Sequence, residues 1–169
     1  MELGFSEEQE ILRRSVQDFM ENEAPIKHTR EMEEDPLGYS PQLWRQIAQL
    51  GWVGLDYPEQ YGGSEGTFVD VAVVCEEMGK ALFPSPYFGT AILAGHAVLA
   101  AGNDKQKGNI LPKVTSGEMV LSFALTEPSA TYEASGVETT AVVADGGYVL
   151  NGVKLFVPYG HAADLLVVV

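Results

Sequence analysis

The chain has 169 residues, of which 46% are hydrophobic and 20% are charged, and its formal net charge at pH 7 is -14. A chain of this size and composition buries roughly 70% of the surface that its unfolded form exposes, so we expect a packed globular core. The negative charge repels phosphate backbones and anionic lipid, which argues against nucleic-acid binding or membrane-surface binding as the main function.

Other whole-chain features predict a cytoplasmic protein without a metal site. No run approaches the ~20 apolar residues that span a bilayer, and Met1-Glu2-Leu3-Gly4 lacks the basic and apolar blocks of a signal peptide. The single cysteine, Cys75, lies among apolar residues at helical spacing, so we expect a small core residue instead of a nucleophile or ligand. Eleven of the 24 acidic residues lie between Glu2 and Asp35 with only a distant His28, and we interpret them as a solvated helix face and its following loop.

Two helices are predicted in the first third of the chain. Ser6-Glu7-Glu8-Gln9 has the residue types of a capping box and predicts the start of a helix that ends near Pro25. Its apolar stripe consists of Ile11, Leu12, Val16, Phe19 and Met20. Ser40-Pro41 predicts the start of a second helix, which Gly51 closes.

Three more helices are predicted over residues 67–79, 91–101 and 104–111, the last ending at Pro112. Glu76 and Glu77 are interpreted as solvated acids of the first of these helices. The 91–101 segment is so apolar that we expect it to be buried nearly all round. His96 in that segment has no second ligand nearby, so we interpret it as a hydrogen-bonded core or interface histidine.

The glycine-rich segment Gly62-Gly63-Ser64-Glu65-Gly66 is interpreted as a turn between helices. It has neither a preceding apolar strand nor the G-x-G-x-x-G spacing, so we reject a dinucleotide-binding loop.

Near Met119 the spacing of apolar residues changes from a pattern typical of helices to one typical of strands. A β-meander is predicted over residues 119–124, 139–144, 148–150, 153–157 and 165 onward, with hairpin turns at Asp145-Gly146 and Asn151-Gly152. The last five residues are apolar, with no cap or turn after them, so we expect the chain to stop inside a strand and not to be a complete catalytic unit. The predicted fold class is α+β: an all-α N-terminal domain (residues 1–118), then an incomplete antiparallel β domain (residues 119–169).

Several short motifs resemble those of the acyl-CoA dehydrogenase family in order and spacing. Each is weak alone, but the whole set in register is specific. In the predicted β region the motifs are Phe123-Ala124-Leu125-Thr126-Glu127-Pro128, Tyr148-Val149-Leu150-Asn151-Gly152-Val153-Lys154 and Ala163-Asp164. In the helical region they are Leu50-Gly51-Trp52, Pro58-Glu59-Gln60-Tyr61-Gly62-Gly63, Glu76-Glu77-Met78-Gly79, and Leu111-Pro112 followed by Ser116-Gly117-Glu118.

The resemblance implies a flavoprotein in which FAD lies between the β domain and a C-terminal helical domain. In that family a glutamate removes the α-proton of an acyl-CoA while the flavin takes the β-hydride. The resemblance also implies electron-transfer flavoprotein as the acceptor and a homo- or hetero-oligomer. The family's base belongs to the C-terminal helices and no carboxylate here matches it, so we assign no catalytic residue and expect this chain alone to be inactive. Glu127 is interpreted as a strand-end acid that bonds the turn or points away.

The family's flavin loop corresponds to residues around Thr126. The resemblance implies that Thr126 is a donor to the flavin N1/C2 region, where hydride arrival places negative charge, and that Phe123 and Leu125 pack near the ring. The alternative is that Thr126 only caps the turn before Pro128.

Two segments depart from the family pattern. Ala130-Thr131-Tyr132-Glu133 stands where the family has Ala-Gly-Ser-Asp, so Tyr132 replaces the serine that contacts the pyrophosphate and the CoA portion. Phe156-Val157-Pro158-Tyr159 stands where the family has Trp-Ile-Thr-Asn. Pro158 therefore removes a hydroxyl and a backbone N–H that face flavin N5, while Phe156 keeps an aromatic wall or is a core residue of a strand.

Two functions follow from these observations. The first is part of an FAD-dependent acyl-CoA dehydrogenase, for which the motif register argues. The second is a noncatalytic partner subunit of a hetero-oligomeric dehydrogenase, for which Pro158, Tyr132 and the absent base argue.

Overall fold

The computed structural model describes residues 4–169, which form six α-helices followed by four short strands. The helices are α1 (Glu7–Glu23), α2 (Ile26–Met32), α3 (Pro41–Gln49), α4 (Phe68–Lys80), α5 (Gly95–Ala101) and α6 (Asp104–Thr115). The strands are β1 (Leu121–Ala124), β2 (Thr140–Ala144), β3 (Gly147–Asn151) and β4 (Leu165–Val168). The predicted fold class, helices first and small sheets after them, is confirmed. Residues 1–3, part of the start predicted to lack a signal peptide, lie outside the described residues.

The helix starts are fixed by side-chain caps. The predicted capping box is present: the Ser6 hydroxyl accepts from the Gln9 amide at 3.2 Å, and the Gln9 side chain accepts from the Ser6 amide at 3.0 Å. Ser40 caps α3 by a single bond, its hydroxyl accepting from the Leu43 amide at 3.3 Å, with Pro41 at the first helical position as predicted. Caps of this kind stabilise a helix by about 1 kcal/mol each.

The core forms where α1, α3 and α4 turn their apolar faces inward. Val16 and Met20 of α1 are buried with Trp44 and Ile47 of α3, whereas Ile11, predicted for the same stripe, is 56% exposed. α1 packs along α4. Fully burying an apolar side chain of this size stabilises the folded state by about 1.5–3 kcal/mol. None of the helices within residues 4–169 is long and apolar enough to cross a bilayer.

Three helix predictions need correction. A short helix, α2, forms directly after Pro25, so the acidic segment is more helical than predicted. α6 passes through Pro112 and ends at Thr115, because Leu111 and Val114 are buried on both sides of the proline and keep that face packed.

The third correction concerns the 91–101 segment, which is not buried all round and is not a single α-helix. Residues Phe88–Ala94 form a π-helical segment that runs directly into α5. The cause is Tyr57, whose hydroxyl donates to the Ala91 carbonyl at 2.5 Å and so takes the acceptor that an α-helix would give to the Gly95 amide. The Gly95 amide instead donates to Thr90, five residues back. A Cβ at Gly95 would lie 1.6 Å from the Tyr57 hydroxyl, so only glycine permits this approach.

The two sheets are both two-stranded. β2 and β3 form the predicted antiparallel hairpin around Asp145-Gly146, where Gly146 has a φ of 83°. β1 and β4 pair in parallel, with Leu121 opposite Leu165, so a fully antiparallel meander is wrong. The long connection between them lets β4 return alongside β1 in the same direction, and the Asp164 carboxylate fixes its start by accepting from the Val120 amide at 2.8 Å.

The predicted strand over residues 153–157 does not form. Phe156 and Tyr159 both have a φ of 51°, which extended strands do not allow, and Pro158 has no amide to pair. The Asn151-Gly152 hairpin turn is also wrong, because Asn151 ends β3. Gly152 is needed for a close approach, since a Cβ there would lie 2.2 Å from the Thr139 hydroxyl.

We predict that Gly95→Ala lowers the free energy of unfolding by about 1–3 kcal/mol, because the new methyl group overlaps the Tyr57 hydroxyl and breaks its bond to Ala91. Urea unfolding followed by circular dichroism measures the change. The matched control is Gly108→Ala in α6, where a Cβ meets nothing within 4 Å and stability is expected to rise by about 0.5–1 kcal/mol. Equal effects of the two substitutions would contradict the packing described for Tyr57.

Candidate functional site

Six of the seven residues predicted to face the cofactor lie on two adjacent segments. Phe123 is in β1, with Leu125 and Thr126 directly after it, and the second segment is 156–158. Two hydrogen bonds join the segments: the Leu155 amide donates to the Thr126 carbonyl at 2.8 Å, and the Ser122 hydroxyl donates to the Pro158 carbonyl at 2.5 Å. The structure therefore brings the two predicted groups side by side.

The seventh residue, Tyr132, lies apart from this junction. Its side chain is 76% exposed on the loop between β1 and β2. That loop is held by local bonds, from the Ser129 hydroxyl to the Gly136 carbonyl and from the Glu133 amide to the Thr131 hydroxyl. Within residues 4–169 no hydrogen bond links Tyr132 to the Thr126 segment, so its contact with a cofactor or substrate stays a prediction.

Thr126 carries the free polar group of the junction. The turn that follows it is closed by the backbone, with the Ala130 amide donating to the Glu127 carbonyl at 2.9 Å. Among residues 4–169 the Thr126 hydroxyl makes no hydrogen bond, and the residue is half-buried. The hydroxyl is therefore available as a donor to a ligand.

The other segment presents an aromatic ring and a proline. Phe156 is 87% exposed, so the alternative that it is a core residue of a strand is wrong within the described residues. Pro158 offers no N–H, and its carbonyl is taken by Ser122. Pro158 also faces the π-helical segment, since a Cβ at Gly89 would lie 3.8 Å from the Pro158 Cβ.

The junction fits a flavin on one side and departs from the family pattern on the other. The Thr126 hydroxyl can donate to an electron-rich ring edge, and the exposed Phe156 ring can cover a planar face. Pro158 cannot supply the donor that the family places at flavin N5. Thr126 and Phe156 therefore fit the cofactor, whereas Pro158 does not.

Behind Thr126 lies a buried ion pair between Glu127 and Lys154, whose side chains are 4% and 9% exposed. The Glu127 carboxylate accepts from the Lys154 ammonium at 2.5 Å and from the Glu138 and Thr139 amides at 2.7 and 3.0 Å. The same ammonium donates to the Leu125 carbonyl at 3.1 Å. We call this set of contacts the Glu127 clasp.

The clasp determines the charge state of Glu127. The hydrogen bond from Lys154 is the main cause that lowers the pKa of Glu127 from about 4.5 to about 2, and the Glu138 and Thr139 amides add smaller contributions. The carboxylate is thus ionised and engaged by Lys154 and by the amides of residues 138–139, so the expectation that it bonds the turn before Pro128 is wrong. That Glu127 is not the base stays a prediction. The sequence motif alone assigns Lys154 no role of its own. A signal for its role does exist in the sequence, because Lys154 stands between the apolar residues Val153 and Leu155. A lysine that is buried with such neighbours needs an acidic partner.

Glu77 was interpreted incorrectly as a solvated acid. Its side chain is buried, and it accepts from Lys80 at 2.8 Å and from Gln17 at 3.1 Å, with Arg13 3.4 Å away. The reason is that α1 packs directly over this face of α4. The neighbouring Glu76 is half-exposed and pairs with Lys80 at 2.8 Å.

His96 is hydrogen-bonded, as predicted. Its Nε2 lies 2.8 Å from the Asp56 carboxylate and its Nδ1 lies 2.8 Å from the Ile92 carbonyl. Cys75 is half-buried, and burial raises the pKa of its thiol, which disfavours the reactive thiolate.

Comparison with known proteins places the chain in one family. The family model described as "Acyl-CoA dehydrogenase, N-terminal domain" matches residues 6–118. The chain is 33% identical over 172 residues to a probable acyl-CoA dehydrogenase, YngJ, of Bacillus subtilis, covering 99% of this chain and 44% of that protein. It is 34% identical over 163 residues to the caffeyl-CoA reductase-Etf complex subunit CarC of Acetobacterium woodii, covering 95% of this chain and 42% of the relative.

Solved structures give the same result. The ChsE4-ChsE5 complex from Mycobacterium tuberculosis matches with a TM-score of 0.84 and 28% identity, covering 98% of this chain and 42% of that chain. The chain spans less than half the length of the curated relatives it matches.

We predict that Glu127→Gln lowers the free energy of unfolding at pH 7 and makes that free energy depend less on pH in the acid range. Because folding depresses the pKa of Glu127, its contribution is present above the unfolded value near 4.5 and is lost as pH falls towards 2. The measurement is hydrogen exchange of the Glu138 and Thr139 amides between pH 5 and pH 2.5.

The matched control for this prediction is Glu31→Gln, since Glu31 forms an exposed one-turn pair with Lys27. This control is expected to change stability by less than about 0.5 kcal/mol. If the Glu127→Gln protein loses protection with acid as steeply as the unsubstituted protein, the assignment of the low pKa to the clasp is wrong.

Proposed function

Because the chain belongs to the acyl-CoA dehydrogenase family, we propose that it is the N-terminal part of an FAD-dependent enzyme that desaturates an acyl-CoA thioester between its α and β carbons. The family uses FAD. The observation that carries the proposal is the junction of the two predicted segments, with an unpartnered Thr126 hydroxyl on one side and the exposed Phe156 ring on the other. FAD, when bound, supplies the hydride acceptor.

Each residue of the junction has a proposed role. Thr126 donates to the flavin N1/C2 edge, Phe123 and Leu125 pack near the ring, and Phe156 with Val157 forms the aromatic and apolar wall. Tyr132 contacts the pyrophosphate of FAD and the CoA portion of the substrate, with its hydroxyl in place of a serine hydroxyl. Pro158 occupies the position facing N5 and donates nothing there.

The proposal divides the chain at residues 118 and 119 into the helical domain and the first part of the β domain. In this proposal the base that takes the α-proton lies outside this chain. Glu127 is not available for that role, because its oxygens already bind three donors. We propose a cytoplasmic oligomer that passes electrons to an electron-transfer flavoprotein. In support, one relative is a subunit of a complex whose name includes Etf, and one structural neighbour is a complex of two named components.

The direct test mixes the complete natural gene product containing residues 1–169 with FAD and a series of acyl-CoA thioesters without oxygen or added acceptor. Loss of flavin absorbance near 450 nm is expected with at least one thioester, because reduced flavin absorbs less. The matched control is the same protein with free CoA, which has no acyl Cα–Cβ bond to oxidise. A flavin-loaded protein that no acyl-CoA bleaches would count against the proposal.

A second candidate function is a noncatalytic partner subunit, which the missing N–H at Pro158 and the large Tyr132 side chain favour. In that case the chain shapes a hetero-oligomer whose flavin is held mainly by a related subunit. The two candidates differ in flavin content per subunit.

The partner candidate predicts that the natural protein purifies alone without FAD and gains it only when co-expressed with a dehydrogenase subunit of the same organism. In a mixed oligomer with equal numbers of the two subunits, the expected ratio is then one FAD per two chains, with none held by this subunit alone. Flavin extraction combined with native mass spectrometry measures the ratio. A homo-oligomer with one FAD per chain that turns over by itself would eliminate this candidate.

A further inference from the structure

The Glu127 clasp and the neighbouring Leu155 amide together hold all three residues of the 125–127 segment, which carries the unpaired Thr126 hydroxyl. Lys154 holds the Leu125 carbonyl and the Glu127 carboxylate with one ammonium group, at 3.1 and 2.5 Å. The next residue, Leu155, donates its amide to the carbonyl of the residue between them, Thr126, at 2.8 Å. The dipeptide 154–155 thus fixes the Leu125 and Thr126 carbonyls and the Glu127 carboxylate, while the Thr126 hydroxyl makes no hydrogen bond within residues 4–169.

We propose that Glu127 and Lys154 are positioning residues that aim the Thr126 hydroxyl at the flavin, an inference that rests on the proposed function. Neither residue touches the cofactor in this proposal. The pair acts through Thr126 on one side and through the 156–158 segment on the other, since Lys154 lies two residues before Phe156.

Burial of the pair supports a positioning role over simple stabilisation. Removing two charges from water costs much of what their attraction returns, so a buried ion pair by itself contributes little to stability. What this pair does provide is a geometric constraint. Its hydrogen bonds join residues 125–127, which follow β1, to residues 138–139 and 154, which flank the β2–β3 hairpin. Within residues 4–169 no strand pairing links β1 to that hairpin.

The close contact at Gly152 supports the same conclusion. A Cβ at Gly152 would lie 2.9 Å from the Thr139 Cα, so the chain passes Thr139 tightly just before it reaches Lys154. The Thr139 amide is itself one of the donors to Glu127. Gly152 thus allows Lys154 to enter the clasp.

The test is a double-mutant cycle on FAD affinity in the complete natural protein, measured by quenching of flavin fluorescence. Thr126→Val removes the hydroxyl at nearly constant volume, and Lys154→Met removes the ammonium but keeps a long side chain. Each single substitution is expected to weaken FAD binding about tenfold, the size of one lost hydrogen bond to a polar ligand. If Lys154 acts through Thr126, the double variant is no weaker than the weaker single variant.

A second readout does not require FAD. Hydrogen exchange of the Leu155 amide is expected to speed up at least tenfold in Lys154→Met and to stay unchanged in Thr126→Val. The matched control is Lys27→Met, in which an exposed lysine is lost and both readouts stay at the level of the unsubstituted protein.

Three outcomes decide the proposal. The positioning role is overturned, with the FAD site left in place, by either of two results. One is a double variant whose loss of FAD affinity equals the product of the two single losses. The other is a Lys154→Met protein with unchanged FAD affinity although its Leu155 amide exchanges faster. An unsubstituted protein that does not bind FAD would overturn the proposed function and this inference together. Where Lys154→Met does not fold, Glu127→Gln replaces it in the same cycle with the same expected results.

Discussion

A single ammonium group holds together the part of the chain that has the least secondary structure. The strands after β1 are short, and the hairpin of β2 and β3 is exposed on both faces in the described structure. An isolated two-stranded hairpin is only marginally stable in water. Lys154 links this hairpin to β1 through Glu127, whose carboxylate accepts from the amides that begin β2. Without that pair, the segments proposed to face the flavin have little that fixes the distance between them.

The helical part provides a rigid surface for these strands through a different device. Tyr57 converts the start of the fifth helix into a π-helical segment, and that segment faces the β region. The Thr90 hydroxyl donates to the Leu121 carbonyl of β1 at 2.7 Å, and Gly89 faces Pro158. The π-helical segment therefore lies directly behind the junction of the two predicted cofactor segments. Segments of this kind are frequent at functional sites.

Local chemistry in the sequence predicted the helix starts and the Asp145-Gly146 hairpin, because capping residues and tight turns depend on near neighbours. It also identified the family motifs, and with them the segments that meet at Thr126. It failed where distant residues decide the structure. The π-helical turn depends on Tyr57 more than thirty positions away from Ala91. The burial of Glu77 depends on α1, and the parallel pairing of β1 with β4 depends on Asp164 at the far end of a long connection.

In the proposed arrangement Thr126 faces the flavin because the Glu127 clasp holds it there. The most direct measurement is a crystal structure of the complete natural protein with FAD bound. In that structure we expect the Thr126 hydroxyl within about 3 Å of the flavin N1/C2 edge and an intact contact between Lys154 and Glu127. A flavin bound elsewhere, or a Thr126 hydroxyl turned into the turn before Pro128 with the clasp intact, would contradict it.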